Sequence, residues 1–505
     1  MAACLLGILI VYSQTAAFAW DEGYHILAAQ LIARGKRPYL DFFFPQTPLN
    51  AYWNAAGMRL FGQTWRAVHA LSAVVTAGTI LLAADFIYTR FPVAAWRMPG
   101  AVAAALLIGL QANFIEYTTT AQPYALCLFL LVAAFRMSVL AVQSKSPAIA
   151  MAAGLLASAA LACSLLVSLA PAVLLFWILR LSPAGRRLRS LAAFLAGAVV
   201  PFVPVLWLFA RAPRQVFFNL FQYHLFYRRA NWEDATPHDW KVLTSWLISP
   251  QALLLGLLGA VGFWYYRRRP EFSLCGWLAL AIGAELCATH PTFEWYYVLI
   301  IPFLGILGVA GLQAATQERR DESRLIVDTP VGRSPWTAPD APVRPLLGAV
   351  RPDRGVGSRA RAPAPHKAVA VVLVVVALGS ARSLYKDRHD FSWRDLEPVA
   401  RKVEEVTPRG APLWADEHVY FLTGRPPIEG TEVSYAEVIE LPAALAASLH
   451  IVPLDDLRRR AADGGFSTVS TCEEKEQYEA LDLPRSFRHS AAVGTCHVFW
   501  DPLLR

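Results

Sequence analysis

A series of apolar runs, each close to the length of a membrane-spanning helix, constrains this chain most strongly. A helix needs about 20 apolar residues to cross the roughly 30 Å hydrocarbon layer of a bilayer. Short polar or Arg-containing segments separate the runs. The pattern therefore predicts about eleven spans, near residues 2–19, 67–89, 98–113, 121–142, 148–163, 165–180, 190–210, 244–266, 273–289, 296–315 and 367–381.

The composition favours an all-α polytopic membrane bundle over a soluble domain. Hydrophobic residues make up 56% of the 505 residues and charged residues only 17%, which is too apolar for one soluble core to bury. Much of the net charge of +8 lies in short clusters such as Arg186–Arg189 and Arg267–Arg269. Such clusters between spans are typical of positive-inside topology, not of the basic soluble face that nucleic-acid binding requires. We therefore expect no nucleic-acid partner.

The basic clusters also predict which loops face outward. Placing the N-terminus in the cytoplasm puts most clusters on the inner side and leaves two long outer loops, residues 20–66 and 211–243. We expect the first 19 residues to remain as a span. The alternative is a secretory signal peptide, which is disfavoured because no basic residue precedes the apolar run.

Four segments follow from this pattern. Residues 1–316 form the predicted transmembrane core, and 317–366, rich in Pro and Arg, form a flexible cytoplasmic loop. We expect residues 367–381 to form the last span; the alternative is a buried strand. Residues 382–505 predict a small periplasmic α/β domain, in which "LEPVARKVEEV" is helical and "APLWAD" and "HVYFLTG" are strands.

The cysteines do not show the spacing of a metal site. There are seven, with no CxxC pair and no Cys/His pattern typical of zinc. Cys472 and Cys496 both lie in the polar C-terminal segment. In an oxidising compartment they could form a disulfide; otherwise they are two small buried thiols, and the sequence leaves both alternatives open.

The first outer loop opens with two adjacent carboxylates in "FAWDEGYHILAAQLIARG". Apolar residues recur at helical spacing after them, which predicts an amphipathic helix lying on the outer membrane surface. Asp21 and Glu22 could cap that helix, since acids in a first turn complement the helix dipole. Asp21 could equally act as a general base on a substrate hydroxyl beside the membrane. The two interpretations are compatible.

The order of motifs in this loop resembles that of GT-C glycosyltransferases. A span, "DE", a helix, "PYLD" and "FPQTPLNAYW" follow one another, most like glycosyltransferase family 39 and the aminoarabinose transferases. The resemblance covers about residues 1–315 and implies an inner-membrane enzyme with a polyprenyl-phosphate-linked sugar donor. It implies an envelope acceptor that is a lipid, glycan or protein. It further implies inversion at the anomeric carbon, with Asp21 as the base and Glu22 in support.

One departure from the family concerns the donor phosphate. Related aminoarabinose transferases have a lysine in "KPPL", whereas this chain has Gln46 in "QTPL". Gln46 can donate a hydrogen bond but cannot neutralise charge, so the phosphate needs another cation. The candidates, grouped with Gln46 and Tyr24 as donor-binding residues, are His224, Arg228, Arg229 and His290. The alternatives are arginines that snorkel to headgroups and a histidine that caps a helix.

Other ionisable residues allow a structural and a functional interpretation. Glu116 in the second outer loop could position a metal or the acceptor, or be a solvated acid. Because no D-x-D pattern occurs in the outer loops, we expect no cofactor, although a divalent metal stays open. For Asp416 and Glu417 a structural role in a loop between strands is favoured, because they lie far from any predicted span. Glu285 and Arg136 fall inside predicted spans, near enough to an end to snorkel.

Two rival functions fit a polytopic chain. A transporter or lipid flippase would place its polar groups near the bilayer midplane on broken helices. A polysaccharide ligase or polymerase would use a lipid-diphosphate donor. The polar residues of interest here lie in outer loops, which favours the glycosyltransferase.

Overall fold

The computed structural model describes residues 2–228, 232, 234–327, 366–386, 391–472 and 475–503. Its first part is a helical bundle. The helices run α1 Ala2–Thr15, α2 Glu22–Ala33, α3 Leu49–Phe61, α4 Trp65–Arg90, α5 Arg97–Gly109, α6 Ala112–Thr118, α7 Tyr124–Ser144, α8 Pro147–Cys163, α9 Ala170–Leu181, α10 Arg187–Val199, α11 Val203–Arg211, α12 Pro213–Phe217, a π-helix Phe218–Tyr227, α13 Ala235–Ile248, α14 Pro250–Tyr266, α15 Pro270–Ala288, a 3₁₀ segment Glu294–Ile300, α16 Ile301–Val327 and α17 His366–Lys386.

Every predicted span coincides with a helix or a pair of helices in this bundle. Within the described residues, five helices are long and apolar enough to cross a membrane, or up to seven if each of two bent pairs is one span. The bends are 67° between α5 and α6 and 73° between α13 and α14. Three further apolar helices, Ala2–Thr15, Pro147–Cys163 and Leu165–Leu181, are shorter. Residues 367–381 lie on the helix α17 rather than on a strand.

Two glycines let the helices α14 and α16 approach closely. A Cβ atom added at Gly262 of α14 would lie 2.0 Å from the carbonyl oxygen of Leu307, and one at Gly311 of α16 would lie 2.1 Å from that of Leu258. Small residues at helix contacts are how bundles pack in lipid, where no hydrophobic effect drives helices together. The substitution of either glycine would push α14 and α16 apart.

The C-terminal part is a small α/β unit around a four-stranded sheet. The strand order is β1–β2–β4–β3; β1 pairs parallel with β2, and the other two pairs are antiparallel. Its elements are α18 Trp393–Val406, β1 Leu413–Ala415, α19 Glu417–Thr423, α20 Ala443–Ser448, α21 Leu454–Ala462, β2 Thr468–Thr471, α22 Lys475–Ala480, α23 Leu483–Ser486, β3 Phe487–Val493 and β4 Cys496–Pro502.

The strand predicted at "HVYFLTG" is wrong, because this segment forms the helix α19. Val419, Tyr420 and Phe421 are all buried, so the apolar run is continuous and shows no helical period. Gly424, at φ 65°, ends the helix in the left-handed conformation. The predictions of a helix at "LEPVARKVEEV" and a strand within "APLWAD" are confirmed by α18 and β1.

The prediction that α2 lies on the membrane surface is also wrong. Every residue from Glu22 to Ile32 is buried, because α3 and the C-terminal unit cover the helix on its two sides. Gln30 Nε2 donates to the carbonyl oxygen of Phe421 at 3.1 Å. Gly23 lies against the ring of His418, which a Cβ atom at this position would approach to 2.4 Å. The spacing of apolar residues predicted the helix but could not show that the C-terminal unit covers it.

Cys472 and Cys496 form a disulfide, which settles the alternative that the sequence left open. The bond joins the end of β2 to the start of β4 and closes a loop with a sequence separation of 24.

We expect reduction of this bond to lower the stability of the C-terminal unit by about 3 kcal/mol, because a loop of this length gains that much chain entropy in the unfolded state. Thermal unfolding of a double variant, Cys472→Ser with Cys496→Ser, measures the effect. Cys4→Ser, at an exposed free cysteine, is the control. An unchanged transition in the double variant would contradict the expectation.

Candidate active site

Asp21 stands between α1 and α2 with its side chain free of helix capping. The backbone of Asp21 is already helical, at φ −62° and ψ −15°, and its side chain makes no cap hydrogen bond. The first turn of α2 is instead started by a backbone bond from Glu22 N to Ala19 O of 2.9 Å. Asp21 therefore does not cap α2 through a side-chain hydrogen bond, and its carboxylate lines a cavity.

The cavity has a volume of about 650 Å³ and lies where loops of the helical bundle meet the C-terminal unit. Six segments of the bundle and one of the C-terminal unit form its walls. The polar and aromatic residues that line it are Asp21, Tyr24, His25, Gln46, Gln122, Tyr124, Ser164, Tyr223, His224, Arg228, Trp232, Glu285, Thr289, His290, Phe293, Tyr296 and Tyr435. A pocket of this size with aromatic walls and a few polar groups is typical of a small-molecule site.

Arg228 follows the π-helix and gives the cavity a permanent positive charge. Its Nη2 donates to the hydroxyl of Tyr296 at 2.5 Å, and its guanidinium lies 5.6 Å and 5.9 Å from the ring centroids of Phe293 and Tyr296. Burial acts to lower the pKa of Arg228, but the neighbouring tyrosines and Asp21 outweigh it and raise the pKa. Among the described residues no carboxylate oxygen comes within salt-bridge distance of this guanidinium.

Burial raises the pKa of Asp21 above its usual range, and the charge of Arg228 partly opposes that rise. Desolvation disfavours the charged carboxylate, whereas a nearby cation favours it. A carboxylate with a raised pKa is a stronger base than an exposed aspartate. The pair therefore places a proton acceptor and a cation in the same cavity.

Gln46 is fixed by two tyrosines. Its side-chain Nε2 donates to the hydroxyl of Tyr24 at 3.2 Å, and its backbone carbonyl oxygen accepts from the hydroxyl of Tyr39 at 2.6 Å. The side chain of Gln46 thus faces the cavity through its contact with Tyr24 but brings no charge.

His224 and His290 are each oriented by one hydrogen bond. His224 Nε2 donates to the carbonyl oxygen of Pro45 at 2.9 Å, and burial lowers the pKa of His224 to about 4, so its ring is neutral at neutral pH. His290 Nδ1 bonds to the carboxylate of Asp239, which also accepts from Thr292 N at 2.6 Å. His224 therefore cannot supply the cation that Gln46 lacks.

Glu22 lies outside the cavity and is fully buried. Its Oε1 accepts from Ala121 N at 2.8 Å and contacts His69 Nε2, and its Oε2 accepts from the indole N–H of Trp393 at 3.1 Å. These partners belong to the loop before α7, to α4 and to the first helix of the C-terminal unit. Glu22 thus joins three parts of the protein, and the loop that it holds continues into Gln122 and Tyr124 of the cavity wall.

The whole arrangement of helices and C-terminal unit matches that of a solved structure. The crystal structure of ArnT from Cupriavidus metallidurans bound to undecaprenyl phosphate superposes with a TM-score of 0.65 at 17% identity, covering 99% of this chain and 97% of that chain. Its apo form gives a TM-score of 0.66, also at 17% identity, over 99% and 96%. The chain has the GT-C fold.

At this identity the likeness establishes the GT-C fold and not the reaction. Arabinosyltransferase EmbB from Mycobacterium smegmatis aligns at 14% identity over 86% of this chain and 43% of that chain, but its TM-score of 0.47 does not establish a common fold. No protein-family model and no curated protein matches the sequence. The expected membrane bundle with a small sheet-containing unit at its C-terminus is therefore confirmed by structure alone.

Within this GT-C fold, most residues singled out from the sequence converge. Six of them line the cavity: Asp21, Tyr24, Gln46, His224, Arg228 and His290. Glu22 does not reach it. Glu116 lies on α6 and is not among the lining residues. Arg229 falls outside the described residues.

Several cavity residues were not predicted. Glu285 lies in a predicted span, and we predicted no role for it in the site from the sequence. Its carboxylate accepts from Ser168 N at 2.9 Å, Ser168 Oγ at 2.5 Å and Leu169 N at 3.2 Å, just before α9. Ionisable residues in spans are a general signal of function, so Glu285 could have been found. Tyr435 comes from the C-terminal unit, and nothing in the sequence pointed to it.

The other acids and bases noted in the sequence have protein partners elsewhere. Asp416 accepts from Cys472 N at 3.1 Å and Glu417 accepts from Ser434 N at 2.5 Å, as the structural interpretation expected. Arg136 pairs with Asp85. Across the described part of the chain, no cluster of three or more His, Cys, Asp or Glu side chains could hold a metal ion. The expectation of no cofactor stays a prediction.

Proposed function

We propose that this chain is an integral membrane glycosyltransferase that moves a sugar from a polyprenyl phosphate to an envelope acceptor. The observation that carries the proposal is the uncapped carboxylate of Asp21 beside Arg228 in the cavity of a GT-C fold. The structural relative that matches over nearly the whole chain is described with undecaprenyl phosphate bound. A base and a cation in one cavity are the two groups that transfer from a lipid phosphate requires.

In the proposed reaction Asp21 acts as the general base. The acceptor hydroxyl gives its proton to the Asp21 carboxylate while its oxygen bonds to the anomeric carbon of the sugar. The bond from that carbon to the phosphate oxygen breaks on the opposite face, and the electron pair leaves with the lipid phosphate. The configuration at the anomeric carbon is therefore inverted.

Arg228 stabilises the departing phosphate in this proposal. Tyr296 takes one of the five guanidinium N–H groups, and charge-assisted bonds from the others suit a phosphate. Gln46 and Tyr24 add neutral hydrogen bonds nearby. Burial of Arg228 strengthens the attraction, because charges interact more strongly away from water.

The proposed location is the inner membrane of a bacterium, with the active site and the C-terminal unit on the periplasmic side. Arg clusters such as Arg186–Arg189 and Arg267–Arg269 then face the cytoplasm. The Cys472–Cys496 disulfide supports the outward placement of the C-terminal unit, because such bonds persist in oxidising compartments.

The proposal is tested with the full chain in liposomes that contain a radiolabelled polyprenyl-phosphate sugar and an envelope extract as acceptor. We expect label to move to the acceptor as polyprenyl phosphate accumulates. Movement of the intact lipid across the bilayer without transfer would indicate a flippase and overturn the proposal. Turnover of a diphosphate-linked donor alone would indicate a ligase or polymerase.

The pH dependence of transfer follows from the environment of Asp21. A general base must be deprotonated, so kcat/KM is full above its pKa and falls as the pH drops through it. Because burial raises the pKa of Asp21, we expect the acidic limb at a higher pH than for an exposed aspartate. Arg228→Gln removes the charge that lowers the pKa of Asp21, so the fall in kcat/KM should begin at a still higher pH. A limb in the ordinary aspartate range that does not respond to Arg228→Gln would contradict the assignment.

A further inference from the structure

The negative charge on the phosphate grows during the proposed transfer. In the donor the phosphate is a diester with a single negative charge, whereas the departing polyprenyl phosphate is a monoester that carries about −1.5 to −2 at neutral pH. Among the described lining residues, Arg228 is the one with a permanent positive charge, and the carboxylates of Asp21 and Glu285 line the same cavity. A second donor that can carry a positive charge would therefore stabilise the departing phosphate further.

His290 lies on the same wall of the cavity as Arg228. The guanidinium of Arg228 packs against the rings of Phe293 and Tyr296, with 5.6 Å and 5.9 Å to their centroids, and these two residues follow His290 closely along the chain. His290 lines the cavity, and its side chain is 34% exposed. The ring is therefore open to a ligand that also contacts Arg228.

A buried carboxylate on α13 fixes the ring of His290. Asp239 Oδ2 accepts from His290 Nδ1, and Asp239 Oδ1 accepts from Thr292 N at 2.6 Å. His238, on the same helix, bonds through Nε2 to the carbonyl oxygen of Thr292 at 3.0 Å. Asp239 itself is buried and is not among the lining residues. Because Asp239 holds the proton on Nδ1, Nε2 is the ring nitrogen that serves a ligand, and no described residue bonds to it.

We propose that His290 donates a hydrogen bond from Nε2 to the phosphate of the lipid, and that Asp239 is the positioning residue that orients His290. This inference rests on the proposed function and adds a second phosphate partner to Arg228. In the complex the ring lies between two anions, the Asp239 carboxylate at Nδ1 and the phosphate at Nε2. With a proton on each nitrogen it donates to both, and its positive charge makes the bond to the phosphate charge-assisted. The pair thus supplies the charge that Gln46 does not bring.

Binding of undecaprenyl phosphate and of undecaprenol to the full-length protein in detergent tests the inference, because the two lipids differ only in the phosphate. His290→Gln should weaken the binding of undecaprenyl phosphate about tenfold or more, as the loss of a charge-assisted hydrogen bond does, and leave undecaprenol binding unchanged. Asp239→Asn should have the same effect, because an amide offers one acceptor oxygen to two donors. Asp234→Asn, at an exposed aspartate just before α13, is the matched control and should bind both lipids as the wild type does.

The double variant, Asp239→Asn with His290→Gln, separates a positioning role from a structural one. If Asp239 acts through His290, the double variant binds undecaprenyl phosphate no more weakly than His290→Gln alone. Losses that multiply in the double variant, an equal loss of affinity for both lipids, or unchanged binding in His290→Gln would each overturn the inference while the proposed function stands. Failure of the wild type to bind undecaprenyl phosphate overturns both.

Discussion

Asp21→Asn should lower the rate of sugar transfer by about a thousandfold, within the range that a lost general base costs. The amide keeps the size of the side chain and cannot accept the proton of the acceptor hydroxyl. Since Asp21 makes no cap hydrogen bond, the folded state loses little. We therefore expect wild-type protein levels and an unchanged affinity for polyprenyl phosphate, so that the loss falls on kcat.

Asp41→Asn is the matched control for this variant. Asp41 is a carboxylate of the same segment, residues 20–66, but it pairs with Arg37 at 2.7 Å and does not line the cavity. A surface pair of this kind contributes about 0–1 kcal/mol, so transfer should change only a few-fold. Near-normal turnover in Asp21→Asn, at normal protein levels, would defeat the catalytic assignment.

Glu22→Ala should instead destabilise the protein strongly, by about 3–5 kcal/mol. The substitution leaves the N–H groups of Ala121 and Trp393 without an acceptor in a buried place, together with His69. Each orphaned donor costs about 1–3 kcal/mol. We expect a lower unfolding temperature in detergent and easier proteolysis between the bundle and the C-terminal unit.

Glu397→Gln is the control for Glu22→Ala. It weakens a different contact between the bundle and the C-terminal unit and leaves the buried hydrogen bonds of Glu22 intact. Glu397 also links them, through Arg66 at 2.8 Å and Trp65 at 3.2 Å, but at the surface. Its loss should cost under about 1 kcal/mol. If Glu22→Ala unfolded at the wild-type temperature, the buried network would not hold the parts together.

The spans could be predicted from the sequence because lipid demands apolar length and leaves few alternatives. Where the prediction failed, a neighbouring domain had changed the environment. In α2, apolar positions at helical spacing predicted a surface helix, but the C-terminal unit covers the rest of it. In α19, successive residues are buried, so the apolar residues do not recur at the spacing that distinguishes a helix from a strand.

The site was predictable only where one residue type carries the chemistry. Asp21 and Arg228 stood out as a carboxylate and a cation in outer loops, and both line the cavity. Gln122 and Tyr435 are neutral, common residue types, and they reach the cavity through contacts between segments far apart in the chain. The resemblance to GT-C glycosyltransferases implied that Glu22 supports Asp21, yet the two side chains point in different directions from the start of α2, and only Asp21 lines the cavity.

The role of Asp21 as the general base is tested most sharply by a single-turnover experiment with radiolabelled polyprenyl-phosphate sugar, comparing the wild type with Asp21→Asn. We expect both proteins to bind the donor equally, the wild type to transfer the label with inverted anomeric configuration, and the variant to retain the label on the lipid. Equal transfer by both proteins, or retained configuration in the product, would contradict this role.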